Sequence, residues 1–216
     1  MRFADRVTAG RELSEPLAAM QRAGGLPDPL VLALPRGGVP VALEVARALR
    51  APLDIVVARK IALPGRPEYG VGAIAGEDEP VYDARALTAL GVSEERLGPQ
   101  VARERAELHR REDSYRAGRP APKTEGRSVV LVDDGLATGA TARAALRNLR
   151  RERPARLVLA VPVGAPQSLA ALSEEADTIV CLMRPELFQA VGLWYDDFPQ
   201  ITDEEVVAEL RPAPTR

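Results

Sequence analysis

The sequence predicts an α/β protein: an open, mostly parallel, Rossmann-like sheet with helices on both faces. Three observations lead there. Five short runs, at 30–34, 53–59, 129–132, 155–163 and 177–183, are mainly apolar and do not alternate, as is usual for strands buried on both sides. Stretches with apolar residues at helical spacing lie between strands. The first and third runs end in glycine-rich loops, PRGG and DDGLATGAT, where an open sheet of this kind turns into its helices.

Taken in order, residues 9–23 have the spacing of an amphipathic helix, which Gly24-Gly25 ends. The strand at 30–34 enters the loop of Pro35, Arg36, Gly37 and Gly38, and VPVALEVARALR follows as a helix. A second strand spans 53–59. The third precedes DDGLATGAT and a helix at 140–152, and strands at 155–163 and 177–183 complete the sheet. Two regions break this rhythm within a single domain spanning 1–216. Residues 64–127 form an insertion that opens with the Gly/Pro-rich LPGRPEYGVGAIAGEDEP, expected to be a flexible loop, and continues into a charged helix at roughly 93–117. Residues 184–216 form a tail expected to be a small hood and C-terminal helix. The tail holds the only Trp, two of three Phe and one of four Tyr, a concentration suited to packing on a flat ligand.

Composition narrows the function. The 216 residues are 46% hydrophobic and 28% charged with a net charge of -2, an ordinary balance that disfavours a dedicated nucleic-acid binder. The stretch 96–127 carries a local surplus of Lys and Arg that could touch RNA, but a solvated helix or a dimer contact is the plainer reading. Cys181 is the only cysteine, which rules out an intrachain disulfide, and His109 is the only histidine, which leaves little for a zinc site or a Ser-His-Asp triad. No apolar run reaches membrane-spanning length, and MRFADRVTAGREL lacks the core of a signal peptide; a cytoplasmic location is expected.

The chemistry concentrates in VVLVDDGLATGAT. Two adjacent carboxylates, Asp133 and Asp134, end a buried strand, where they repel each other and gain nothing from packing. The loop of Ala137, Thr138, Gly139, Ala140 and Thr141 can aim backbone N–H groups and two hydroxyls at one oxyanion, with the positive end of the next helix behind it. That is a phosphate cradle. The acids cannot bind phosphate; they suit the vicinal hydroxyls of a ribose, directly or through Mg²⁺, so the pair of features describes a ribose 5-phosphate. Rival motifs fail. A Walker loop needs a Lys that is absent between Gly135 and Arg143, and GVGAIA (70–75) matches a dinucleotide pattern but follows a Pro/Gly-rich loop rather than a strand.

VVLVDDGLATGAT resembles the signature of type I phosphoribosyltransferases, which bind 5-phosphoribosyl-1-pyrophosphate (PRPP). The resemblance implies that fold. It also implies that Asp133 and Asp134 take the ribose hydroxyls while Ala137, Thr138, Gly139, Ala140 and Thr141 take the 5-phosphate. ALPRGG is similar to the family's pyrophosphate loop, which often holds a non-proline cis peptide; Arg36 and Gly37 match it, with Arg36 as the cation. ARKIALPGRPEYG is similar to the second-strand exit and closing loop of adenine-type members. This implies that Arg59 and Lys60 touch pyrophosphate and that Glu68 and Tyr69 ride on a lid, although a strand-end salt bridge is an equal use for Arg59. AVGLWYD is similar to the hood of purine-type members. It implies that Phe188, Ala190 and Trp194 lie near the base and that Asp196 joins Asp133 and Asp134 around Mg²⁺. Gln189 stands where 6-oxopurine enzymes place a stacking aromatic, and Ala137 replaces their base-activating acid, so a hypoxanthine or guanine acceptor fits poorly.

The implied reaction is displacement at the anomeric carbon of PRPP by a nitrogenous base, with pyrophosphate leaving; the sequence does not name the acceptor, and a purine-like base is one candidate. Arg36 and Lys60 would act beside the acid pair, and Mg²⁺ would neutralise the leaving group. The implied partners are PRPP and a small-molecule base, with a homodimer as the expected assembly. The alternative is a regulator that binds PRPP or a nucleotide without transfer and passes its occupancy to another macromolecule, RNA included. Both readings require the acids to be available to a sugar rather than consumed by internal ion pairs.

Overall fold

The computed structural model describes residues 2–210, without the side chains of Pro67 and Glu68. Its main sheet has five parallel strands: β1 (Pro29–Ala33), β2 (Leu53–Ile55), β6 (Ser128–Val132), β7 (Arg156–Val163) and β8 (Thr178–Met183). They lie in the order β2-β1-β6-β7-β8. The helices that cover it are α1 (Arg6–Arg22), α2 (Gly38–Leu49), α5 (Ala140–Arg151) and the short α6 (Pro166–Ala171).

Strand alternation sorts the core into two layers. Val31, Ala33, Val130, Val132, Val158 and Ala160 join the cluster that holds Leu13 and Leu17 of α1 and Val41 and Val45 of α2. Their neighbours Leu30, Leu32, Val129, Leu131, Leu157 and Leu159 join the cluster of Leu146 and Leu149 of α5 and Leu169 of α6. The apolar runs have no polar face because both faces are covered. α1 approaches α2 closely at Gly10, where a Cβ would stand 2.8 Å from the Val41 carbonyl oxygen.

Helix α1 starts earlier than residue 9 because Asp5 caps it, accepting from the Thr8 N–H at 2.6 Å. The run at 53–59 is two strands, not one. The main-sheet strand ends at Ile55, and β3 (Ala58–Leu63) belongs to a second, antiparallel sheet with β4 (Arg66–Ala75) and β5 (Val81–Tyr82). A continuous apolar run carries no mark of the point where a chain leaves one sheet for another. The Gly/Pro-rich segment expected to be a loop is therefore largely strand. GVGAIA lies inside β4, paired with β3 and leading to no helix, so the dinucleotide pattern there has no structural context.

The rest of the insertion holds α3 (Ala84–Leu90), a 3₁₀ turn (Glu94–Leu97) and α4 (Gly98–Arg116). The basic residues of α4 are largely used within the chain. Arg105 donates to the Gly76 and Asp78 carbonyls, Arg110 and Arg111 bind Glu107, and Arg116 binds Asp54 and the Ile55 carbonyl. The tail carries a 3₁₀ turn (Val191–Trp194) and α7 (Asp203–Glu209), whose Thr202 and Glu205 form a capping box. Residues 211–216 of the expected hood and helix lie outside the described residues. Among the described residues no helix is long and apolar enough to cross a membrane.

Candidate active site

The chain places β2 on one side of β1 and β6 on the other, so the loops leaving β1 and β6 diverge at adjacent strand ends. Such a switch point opens a crevice beyond the carboxyl ends of the strands. The loop of Leu34, Pro35, Arg36 and Gly37 leads into α2, and its Pro35–Arg36 peptide is cis. The loop 133–139 leads into α5. The two loops touch. A Cβ on Gly37 would stand 2.0 Å from Asp134 Oδ2, and one on Gly38 would stand 2.7 Å from the Val132 carbonyl oxygen. Only glycine permits this approach.

Asp133 and Asp134 sit under this contact. Asp133 Oδ1 accepts from the Asp134 N–H at 2.9 Å. Burial raises the Asp133 carboxyl well above its ordinary range, and the neighbouring Asp134 charge raises it further. Burial also raises Asp134, opposed by the guanidinium of Arg6. Arg6 Nε donates to Asp134 Oδ2 at 2.8 Å, and the two side chains are 8% and 13% exposed. One acid of the pair is thus engaged by an internal cation, contrary to the expectation that both stand free; the other has no ion pair among the described residues. Tyr195 Oη donates to the Asp134 carbonyl at 2.5 Å, and burial followed by the Asp134 charge raises its phenol above the ordinary range.

Beyond the acids, Gly139 takes φ +73° and starts α5 with no side-chain cap. Among the described residues no side chain claims the first N–H groups of α5, which remain available to an anion. Ala137 and Thr138 are exposed beside them. An open cleft of about 560 Å³ separates Ala137 and Thr138 from Phe188 and Gln189, and Gln167, Ser168 and Glu186 also line it. A smaller cleft of about 200 Å³ lies on the other side of Thr138 and Ala140, against Lys60, Gly70 and Tyr82.

The model of the phosphoribosyl transferase domain family matches residues 14–192, which contain both loops. The chain belongs to this family. It is 42% identical over 208 residues to a protein of Mycobacterium tuberculosis, in strains H37Rv and CDC 1551, whose name assigns it provisionally to the phosphoribosyl transferases. That alignment covers 96% of this chain and 46% of those proteins, so the chain spans about half the length of these relatives. The crystal structure of TT1426 from Thermus thermophilus is 46% identical, with a TM-score of 0.80, over 97% of this chain and 98% of that one.

Within this phosphoribosyltransferase fold the remaining predicted residues fall into three groups. Lys60 reaches the smaller cleft beside Thr138 and Ala140, its stem lying across Gly70, and Phe188 lines the larger one. Arg36 stands at the strand end, 3.7 Å from Asp203 of α7. The others are drawn elsewhere. Arg59 alternates with Lys60 along β3 and so faces α4, where it binds Glu104 at 2.7 Å. Tyr69 is exposed on β4, with Arg66 6.0 Å over its ring. Trp194 stacks behind Phe188, ring centroids 6.5 Å apart, and neither it nor Ala190 lines the cleft. Asp196 is exposed, 4.0 Å from Arg2, and does not join the acid pair: among the described residues no three His, Cys, Asp or Glu side chains cluster to hold a metal. The physical reason is alternation again, because buried Tyr195 turns toward Asp134 and its neighbour turns out. Glu68 falls outside the described side chains.

Sequence reasoning missed Arg6, Gly38, Tyr195 and Asp203. Arg6 left no signal, because the helix expected at 9–23 begins after it.

Proposed function

We propose that this chain is a phosphoribosyltransferase that moves the ribose 5-phosphate of PRPP to a nitrogenous base and releases pyrophosphate. The observation that carries the reading is the uncapped start of α5, one loop away from the half-buried acid pair at the switch point. Phosphate at that helix end receives the N–H groups of the loop 138–141, and the sugar then projects toward Asp133. Holding one end of the donor rigidly converts the attack into a positioned, nearly unimolecular event. Arg36 and Lys60 supply positive charge for the departing pyrophosphate, with Arg36 exchanging Asp203 for it.

Mg²⁺ fits this donor set: two hard carboxylates, Asp133 and Asp134, suffice for a cation that retains waters and substrate oxygens. When bound it would neutralise charge on the leaving group. The base would enter the larger cleft, whose volume of about 560 Å³ suits a small planar ligand. There the Phe188 ring offers a flat face, and Gln167, Glu186 and Gln189 offer polar edges of both signs. A purine-like heterocycle matches those edges.

The test is release of pyrophosphate from PRPP with Mg²⁺ across a panel of purine and pyrimidine bases. Release that needs one base, and that disappears in Asp133→Asn/Asp134→Asn, supports the reading. PRPP binding with no release for any base turns the assignment toward a regulator. Failure to bind PRPP at all removes it.

A further inference from the structure

The family match spans 14–192, yet the groups that grip Asp134 come from outside it. Arg6, on the first turn of α1, donates through Nε to Asp134 Oδ2 at 2.8 Å and through Nη1 to the Pro199 carbonyl at 2.7 Å. Its guanidinium lies 3.6 Å over the centroid of Phe198. Phe198 in turn packs on Tyr195 at 4.9 Å, and the Tyr195 hydroxyl holds the Asp134 carbonyl. Phe3 completes the layer, pairing with Tyr195 through a bridge and standing 5.5 Å from its ring. Residues 3–6 and 195–199 therefore close together behind one acid of the pair.

A planar guanidinium held at three points cannot rotate freely, and it fixes any carboxylate that it binds. Among the described residues Arg6 is the only cation within ion-pairing distance of Asp134, and it engages Oδ2, the oxygen beside Gly37. The Nε and Nη1 groups of Arg6 are both taken by protein acceptors, and one face of the guanidinium is covered by Phe198. The arrangement suits a group that acts through Asp134 and does not touch a ligand.

We propose that Arg6 is a positioning residue. Held by Phe198 and Pro199, it orients the Asp134 carboxylate so that its free oxygen meets the sugar hydroxyls of a phosphorylated pentose. The inference rests on the proposed function, and the experiment separates the two. Phosphate binding uses the loop 137–141 alone, whereas sugar binding also needs the acids. Arg6→Met keeps the length of the stem without the fork; Arg6→Lys keeps the charge without the planar geometry.

Equilibrium binding of ribose 5-phosphate and of inorganic phosphate is measured for the wild-type chain and both variants. Arg6→Met is expected to weaken ribose 5-phosphate about tenfold with inorganic phosphate unchanged, and Arg6→Lys to recover part of the loss. Equal affinity for the sugar phosphate in Arg6→Met overturns the inference. So does a parallel loss of both ligands in both variants, which marks Arg6 as purely structural. A wild-type chain that binds neither ligand defeats the proposed function first.

Discussion

Gly38→Ala tests the contact on which the crevice depends. A Cβ at this position would stand 2.7 Å from the Val132 carbonyl oxygen, 3.0 Å from Asp133 Cα and 3.3 Å from Asp133 Oδ1. The first two are backbone atoms and cannot rotate away, so either α2 or the end of β6 must shift by several tenths of an ångström. Overpacking of this kind costs about 1–3 kcal/mol. Alanine recovers up to about 1 kcal/mol of helix propensity in an interior position and less at a first residue. The net loss should lower the thermal midpoint by a few degrees up to about ten. Because the displaced backbone carries Asp133, affinity for a sugar phosphate should fall as well. Gly98→Ala is the control: nothing stands within 4 Å of its added Cβ, so stability should be unchanged or slightly raised. Thermal and urea unfolding measure the first effect, and ligand titration measures the second. A Gly38→Ala protein as stable as the control, with unchanged affinity, refutes the claim that the two loops meet at van der Waals limits.

Three further perturbations follow from the same geometry. Burial holds the Asp133 carboxyl above its ordinary value of 3.8, so its stabilising contribution is complete below that pH and is lost as pH rises through the folded-state value. Asp133→Asn should therefore unfold at no lower urea than the wild type at neutral pH, with the difference shrinking toward pH 3.8; an Asn variant that is less stable at neutral pH contradicts this. Glu104→Gln breaks the pair with Arg59, whose side chains are 27% and 12% exposed, and should cost about 1–3 kcal/mol, less than a fully buried pair. Phosphate affinity should not change in that variant, which titration checks, because the pair faces α4 and not the crevice. Leu108→Ala empties a fully buried position on α4 and should cost about 2–5 kcal/mol in urea unfolding; a loss well under that range would mean the helix is loosely docked.

The strands of the main sheet were legible because strands covered on both faces are apolar almost throughout, with Asp54 and Ser128 as buried exceptions. The loop 133–141 stood out for a different reason: its adjacent acids and two threonines gain nothing from local packing, although Leu136 among them is buried in the core. Beyond these the sequence is quieter. The change of sheet between Ile55 and Ala58 leaves no trace in an apolar run. Whether Arg59 or Lys60 faces the crevice depends on strand parity, which spacing alone does not set. Asp196 and Tyr195 are adjacent in sequence, and only the packing of Tyr195 against Phe3 and Phe198 decides which of them turns inward.

By itself the sequence determined the class of fold and the placement of a Gly- and Thr-containing loop directly after two adjacent acids. Each is local: periodicity, glycine placement and charge within a dozen residues. Only the tertiary structure decided which acid is gripped, by what, and where the accessory clefts lie. Arg6 and Asp134 are separated by 128 positions, and Arg6 and Pro199 by 193. Contacts at such separations exist because the sheet order and the packing of residues 194–199 bring these distant segments together, and no local pattern encodes that meeting.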